Sequence, residues 1–332
     1  MTDSTASAPK RWQIATAFAA VYLIWGSTYL GIAFAIETLP PLLMTGARFV
    51  AAGLVLYSWA RLRGAPRPEV AHWRSAGVLG VLFFLCGNGA VTWVEQWMSS
   101  GLTAVLVAMV TAWTVLLEWF RPGGKRPPPA VLVGIVTGFF GVALLLLPGR
   151  VTGPKDVNLA GALTLMVSSF LWAVGSIYSQ KATLPRHIGL TSGMQMLVGG
   201  GLLLLAGTLV GEWPQLHLQS VSPKSVFAFL YLFSVGSLIG FTAFSWLLKV
   251  STPSKVSTYG YVNPVFAVLL GWAFAGEVLT LRSLAAAAVI LGSVAVIITG
   301  RSMGRGPVSR LQPLTTPRLD RAEAVAALTP DP

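Results

Sequence analysis

The sequence predicts an all-α membrane protein: ten transmembrane helices arranged as two inverted five-helix repeats. Three observations predict it. The 332-residue chain is 54% hydrophobic and only 10% charged, against about 25% charged residues in an average soluble domain. Its apolar residues fall into ten segments near the roughly 20 residues needed to cross a bilayer. The run Trp25-Gly26-Ser27-Thr28-Tyr29 recurs as Trp172-Ala173-Val174-Gly175-Ser176-Ile177-Tyr178, and each copy opens a set of five segments. Five crossings leave a chain on the side opposite its start, so the second set must enter the membrane upside down.

Taken in order, segment 12–36 carries Tyr22, Trp25 and Tyr29 at helical spacing on one face. It is too long for a signal-peptide core and reads as a retained first span. Segment 42–60 follows Pro40-Pro41 and holds Arg48, the one basic residue well inside a span. Segment 75–94 contains Gly87-Asn88-Gly89, glycines that permit close approach or local helix distortion. Segment 101–120 shows a stripe of Thr103, Val107, Thr111, Thr114 and Glu118, and segment 130–148 is almost wholly apolar. The second set runs 159–178, with Ser169, Trp172 and Ser176 on one face, then 190–210, 226–248, 256–275 and 282–299. Segment 256–275 carries Tyr259, Tyr261, Asn263 and Pro264, and a mid-helix proline frees a backbone carbonyl one turn earlier. The chain thus divides into a cytoplasmic segment 1–11, repeats at 12–150 and 151–300, and a tail 301–332 whose Pro, Arg and Ala composition reads as disordered and cytoplasmic.

A net charge of +12 invites a nucleic-acid reading, but its distribution gives a topology instead. With the amino terminus in the cytoplasm, 18 of the 23 Lys and Arg residues fall on the inner side and 4 on the outer, with Arg48 between. The positive-inside rule favours this orientation, with both termini cytoplasmic in a bacterial inner membrane. The single cysteine, Cys86, lies within a span and offers no intramolecular disulfide.

A shift of 147 residues sets Trp25 on Trp172, Tyr29 on Ser176 and Arg48 on Gln195, and a shift of 153 sets Trp93 on Trp246 and Trp119 on Trp272. Inverted repeats of this kind mark secondary transporters, with the substrate near the midplane between the halves. The stretches Leu23 to Tyr29, Pro40-Pro41 with Gly46-Ala47-Arg48-Phe49, Gly87-Asn88-Gly89, Trp172 to Tyr178, Tyr261-Val262-Asn263-Pro264 and Gly276-Glu277 resemble the drug/metabolite transporter superfamily. The likeness is to its ten-span EamA-type permeases, in the YedA-like branch, and covers about residues 12 to 300. It implies a ten-helix inner-membrane carrier exporting amino acids, metabolites or toxic organic compounds. Thr111 stands where relatives often carry a proline matching Pro264, which puts the family-typical kink of span 4 in doubt.

Polar and aromatic groups at membrane depth are the candidate substrate contacts: Tyr22, Trp25, Tyr29, Asn88, Thr111, Trp172, Ser176, Tyr259 and Asn263. Each has a structural alternative, in helix packing or in bonding to a helix's own carbonyls. Arg48 either grips a substrate carboxylate or pairs with Glu95 or Glu37. Glu37, Glu95 and Glu277 are expected at watery outer ends, and Glu277 at a loop or helix start. That leaves Glu118, beside Arg121, as the one candidate relay, and favours transport driven by the solute's own gradient. No phosphate-cradling loop or HExxH motif is present, and no cofactor or metal is expected. The expected partners are a small-molecule substrate and the lipid bilayer, with no nucleic acid; oligomeric state stays open. The competing readings are a lipid or polyprenyl-linked flippase and a membrane enzyme or assembly subunit, and neither the headgroup charges nor a catalytic constellation they need is visible.

Overall fold

A computed structural model describes residues 9–124, 126–146 and 159–303. These form ten helical segments: α1 Arg11–Ala35, α2 Pro41–Leu62, α3 Val70–Val94, α4 Ser100–Phe120, α5 Pro129–Leu146, α6 Leu159–Tyr178, α7 Ile188–Leu209, α8 Pro223–Val250, α9 Tyr259–Ala275 and α10 Leu281–Met303. Seven of them, α1 to α4 and α6 to α8, are long and apolar enough to cross a membrane. A helical turn, Pro253–Val256, leads into the 17-residue α9. The tail expected at 301–332 lies, beyond Met303, outside the described residues.

Local chemistry sets the ends. Proline opens α2, α5 and α8, where its missing N–H costs nothing, and the Ser99 and Ser222 hydroxyls cap α4 and α8. Gly211 and Gly276 follow α7 and α9 with φ of 77° and 64°, a left-handed conformation that admits glycine readily. Each reversal delivers the next residue, a glutamate, to another helix. Glu212 Oε1 and Oε2 accept from Leu42 N and Leu43 N at the start of α2, at 3.1 and 2.8 Å. Glu277 accepts from Ser100 N and Oγ and from Gly101 N at the start of α4. The first-turn N–H groups of a helix lack internal partners, and a carboxylate there also meets the positive end of the helix dipole. Glu277 therefore has a helix-start role as expected, but on α4 rather than on its own neighbour α10.

Helix pairing follows one rule. The principal contacts are α2 with α7, α5 with α10, α4 with α9, α1 with α9, α4 with α6, α1 with α8, α3 with α6, and α3 with α7. Adding five to each number of the first repeat, and removing five from the second, turns this set into itself, with α8 against α2 completing the last pair. Two helices cross where glycine removes the side chain between backbones. A Cβ on Gly53 would meet Leu197 N at 2.8 Å and Gly193 O at 2.9 Å, and one on Gly200 would meet Val50 N at 2.7 Å and Gly46 O at 3.0 Å. Rising numbers in α2 face falling numbers in α7, so the two run antiparallel. The same holds for α5 with α10, where Gly134 faces Ile297 and Gly141 faces Ile290, and for α4 with α9, where Gly101 faces Val268 and Gly260 faces Thr111.

The long helices α3 and α8 share a further irregularity. Each passes through ten residues of π-helix, Gly80–Gly89 and Leu232–Phe241, at corresponding places in the two halves. Such stretches are rare and cluster at functional sites. Outward-facing Phe140, Phe227, Leu209, Trp272 and Phe274 are mostly exposed, an apolar surface that suits lipid rather than water.

Candidate functional site

A cavity lies where α1, α2, α3, α4, α6, α8 and α9 converge, with about 680 Å³ of empty space when the open solvent at its mouth is counted. Its floor is aromatic. Trp25 and Trp172 meet edge to face with centroids 5.6 Å apart, Tyr259 stands edge-on to Trp25 at 5.3 Å, and Phe244 lies 4.8 Å from Trp25. Phe83 packs against the other tryptophan, 4.8 Å from Trp172. Edge-to-face and tilted pairs suit the ring quadrupoles and add about 0.5–1.5 kcal/mol each beyond area burial.

The two tryptophans are held by the same device, used twice. A Cβ on Gly87 of α3 would lie 2.5 Å from the Trp172 ring, and one on Gly240 of α8 would lie 2.8 Å from Trp25 Nε1. Each first-helix tryptophan therefore sits on a glycine in the third helix of the other half. The glycines are related by the 153-residue shift and the tryptophans by the 147-residue shift.

Polar groups form the walls. The π-helical turns of α3 and α8 are each tied by a side chain reaching five residues back: Asn88 Nδ2 donates to Phe83 O at 3.1 Å, and Ser237 Oγ donates to Leu232 O at 2.9 Å. Asn88 Oδ1 then accepts from Arg48 Nη2 at 3.3 Å. Arg48 is 2% exposed, and its guanidinium lies over the Phe49 ring at 4.4 Å. Thr28, Tyr29, Ser168 and Ser169 complete the polar lining, with Ile32, Val91 and Val107 between them. Lining residues of α1, α2 and α3 lie toward Ala35, Pro41 and Val94, so the cavity sits on that side of the aromatic floor. At the opposite end the floor is backed by Tyr22, whose hydroxyl is 2.5 Å from Thr258 Oγ1.

Of the residues predicted from sequence, the structure brings Trp25, Tyr29, Asn88, Trp172 and Tyr259 to the cavity. Tyr22 lies behind the floor. Thr111 donates to Ser257 O at 2.9 Å, tying α4 to the turn before α9, and Ser176 donates to its own helix at Trp172 O. Asn263 is buried between α1 and α9, its amide nitrogen facing the carbonyls of Tyr22 and Tyr259 at 3.0 and 3.3 Å when the amide is assigned by its neighbours. Sequence reasoning missed Ser168, Gly236, Ser237, Phe241, Phe83 and Phe244. The repeat carried part of that signal, since it sets Gly240 on Gly87.

Three expectations about charge change. Glu37 pairs with Lys224 at 2.6 Å, joining α1 to α8, and is not the partner of Arg48. Glu95 is not a watery end residue: it is fully buried, and so is Glu212. Glu118 is therefore not the one carboxylate held away from water. Glu118 itself accepts a hydrogen bond from Ser254 Oγ at 2.5 Å. Among the described residues, no three His, Cys, Asp or Glu side chains are grouped to hold a metal ion.

Known proteins share this architecture. The EamA-like transporter family matches residues 12–147 and again 159–299. This chain belongs to the EamA-like transporter family. It is 37% identical over 284 residues to the uncharacterized inner membrane transporter YedA of Escherichia coli (strain K12), covering 85% of this chain and 89% of that one. It is 24% identical over 289 residues to a Salmonella typhimurium protein described as a probable amino-acid metabolite efflux pump, covering 84% of this chain and 93% of that one. A solved crystal structure matches with a TM-score of 0.62 at 21% identity, covering 89% of this chain and all of the other, and so shares the fold. The chain is a multi-pass membrane protein of a transporter family, built from two copies of one helical unit.

Proposed function

We propose that this family member is a secondary transporter of the bacterial inner membrane that exports small organic solutes by alternating access between two inverted repeats. Its ten helices all cross the bilayer, and both termini lie in the cytoplasm. The observation that carries this reading is the antiparallel pairing of equivalent helices. A two-fold operation that sets α2 on α7, α4 on α9 and α5 on α10, each running against its partner, has its axis perpendicular to the helices. For helices that span a bilayer, that axis lies in the membrane plane, which is the relation of inverted repeats. The 18-to-4 bias in basic residues supports the orientation independently.

The axis also supplies the mechanism. An inverted pair of halves has two equivalent ways to pack, one open to each side. Here the cavity lies toward the end marked by Ala35 and Pro41, the outer end in this topology, and the Tyr22–Thr258 contact lies on the inner side of the floor. Ser169 is the counterpart of Tyr22 under the 147-residue shift, and it lines the open cavity. Exchange of the two packings closes the Ser169 side and parts Tyr22 from Thr258, moving a solute on the tryptophan floor from one face to the other. The likeness to an efflux protein supports outward flux.

A thermal-stabilisation screen of the purified carrier against amino acids, organic acids, sugars and cationic dyes finds binders, because a ligand of the folded state raises apparent stability. Counterflow of the strongest binder in proteoliposomes then tests transport. The expected result is exchange that Trp25→Ala diminishes at unchanged membrane level. A ligand that stabilises the protein but never exchanges across the bilayer defeats the reading.

A further inference from the structure

The cavity holds one charged side chain. Arg48 lies seven residues into α2 from Pro41, roughly 10 Å deep at 1.5 Å per residue. Burying a cation there costs several kcal/mol unless its hydrogens are used. Two contacts orient it: Nη2 donates to Asn88 Oδ1, and the plane rests on Phe49. Glu95, buried at the end of α3, offsets its charge electrostatically. The Arg48 Nε hydrogen has no acceptor in the protein. A guanidinium has five donors and no acceptor, and its geometry matches the two oxygens of a carboxylate.

The rest of the lining fits one kind of guest. The cavity walls contain no Asp, Glu, Lys or His beside Arg48. Hydroxyls of Thr28, Tyr29, Ser168 and Ser237 can serve polar substituents, and no carboxylate among the lining residues is there to pair with an organic cation beside Arg48. Below them the Trp25–Trp172 floor offers a broad apolar surface. The repeat shows that a cation is not needed to build this crossing, because Gln195 occupies the equivalent place on α7 and is equally buried.

We propose that Arg48 is the specificity-determining residue of the cavity, binding the carboxylate of an organic acid whose apolar body lies on the Trp25–Trp172 floor. Organic cations and neutral analogues are selected against. This rests on the transport reading above for its physiological meaning, but its binding test does not.

The test compares three probes of one shape on the purified full-length protein in lipid nanodiscs, by calorimetry: 3-phenylpropionate, 3-phenylpropanamide and 3-phenylpropylamine. The acid is expected to bind at least ~10-fold more tightly than the amide, which is about 1.4 kcal/mol, with the amine weakest. Arg48→Gln copies the residue of the other half. It should abolish the acid's advantage while leaving the amide's affinity in place, and Arg48→Lys should keep part of it. An acid that binds no better than the amide to the unsubstituted protein at millimolar concentration overturns the proposal without any variant. An acid preference that survives Arg48→Gln overturns it as well. Counterflow separates the two readings. Exchange of the amide or amine but not the acid leaves a transporter and removes the role of Arg48. An Arg48-dependent acid preference without exchange keeps the site and removes the transporter.

Discussion

The two halves of the molecule repeat a backbone and differ in chemistry. Each half places a tryptophan on a glycine of the other, runs its third helix through a π-helical stretch, and crosses its second helix over that of the other half at paired glycines. At the cavity they part. Arg48 answers Gln195, Asn88 answers Phe241, and the carboxylate caps Glu212 and Glu277 both belong to the second half. What is common to the halves is the packing of their backbones. What differs gives the cavity its polarity. Both caps also tie helix starts at the same end of the bundle, those of α2 and α4, to another helix, whereas at the opposite end Glu69 caps the start of its own helix, α3.

The largest effect should come from breaking what the halves share. Gly200→Ala puts a Cβ 2.7 Å from the Val50 nitrogen, whereas Gly201→Ala, one residue along, meets open space. The first should destabilise the protein by about 2 kcal/mol or more, as overpacking against a backbone does. The second should leave it unchanged or gain about 0.5–1 kcal/mol from helix propensity. Thermal unfolding in detergent measures both, and equal behaviour of the neighbours would remove the close crossing. Next come the caps. Glu212→Ala and Glu277→Ala should each lose about 1–2 kcal/mol, as caps do, and the losses should add because the sites are distant. Gly87→Ala and Gly240→Ala displace equivalent tryptophans, so both should lower transport more than membrane level. An effect in one alone would show that the two tryptophans are not working as a pair. The smallest change is expected for Asn263→Ala. Its amide spans two backbone carbonyls, so about 1 kcal/mol of stability should go, while ligand affinity stays within about twofold, a difference of roughly 0.4 kcal/mol.

Much of this was legible in the sequence, for physical reasons that also mark where legibility stops. The ten apolar runs and the two tryptophans stand out because lipid demands long unbroken apolar stretches and makes large polar-tipped rings conspicuous. Thr111, Ser176 and Asn263 are equally conspicuous, yet in hydrocarbon a polar side chain needs a partner whether or not a substrate is near. Spacing along one helix cannot tell a cavity wall from a contact with the next helix. The π-helical stretches left no trace because they change the face on which residues 80–89 and 232–241 project without changing composition. The burial of Glu95 was hidden for a similar reason. Position near a helix end suggested water, but the packing of α3 against its neighbours removes it.

The central claim is that one closure replaces another across the cavity, and cysteine accessibility tests it most directly. In a Cys86→Ser background, Thr28→Cys reports the cavity wall on the open side and Ala243→Cys reports the far half of α8. Each is labelled with a membrane-impermeant maleimide, with Tyr22 intact and with Tyr22→Ala, which removes the contact to Thr258. The expected result is opposite movement: releasing the inner closure slows labelling at Thr28→Cys from the outer side and speeds it at Ala243→Cys from the inner side. Rates that stay fixed at Thr28→Cys, or rise at both positions together, would contradict alternating access between these halves.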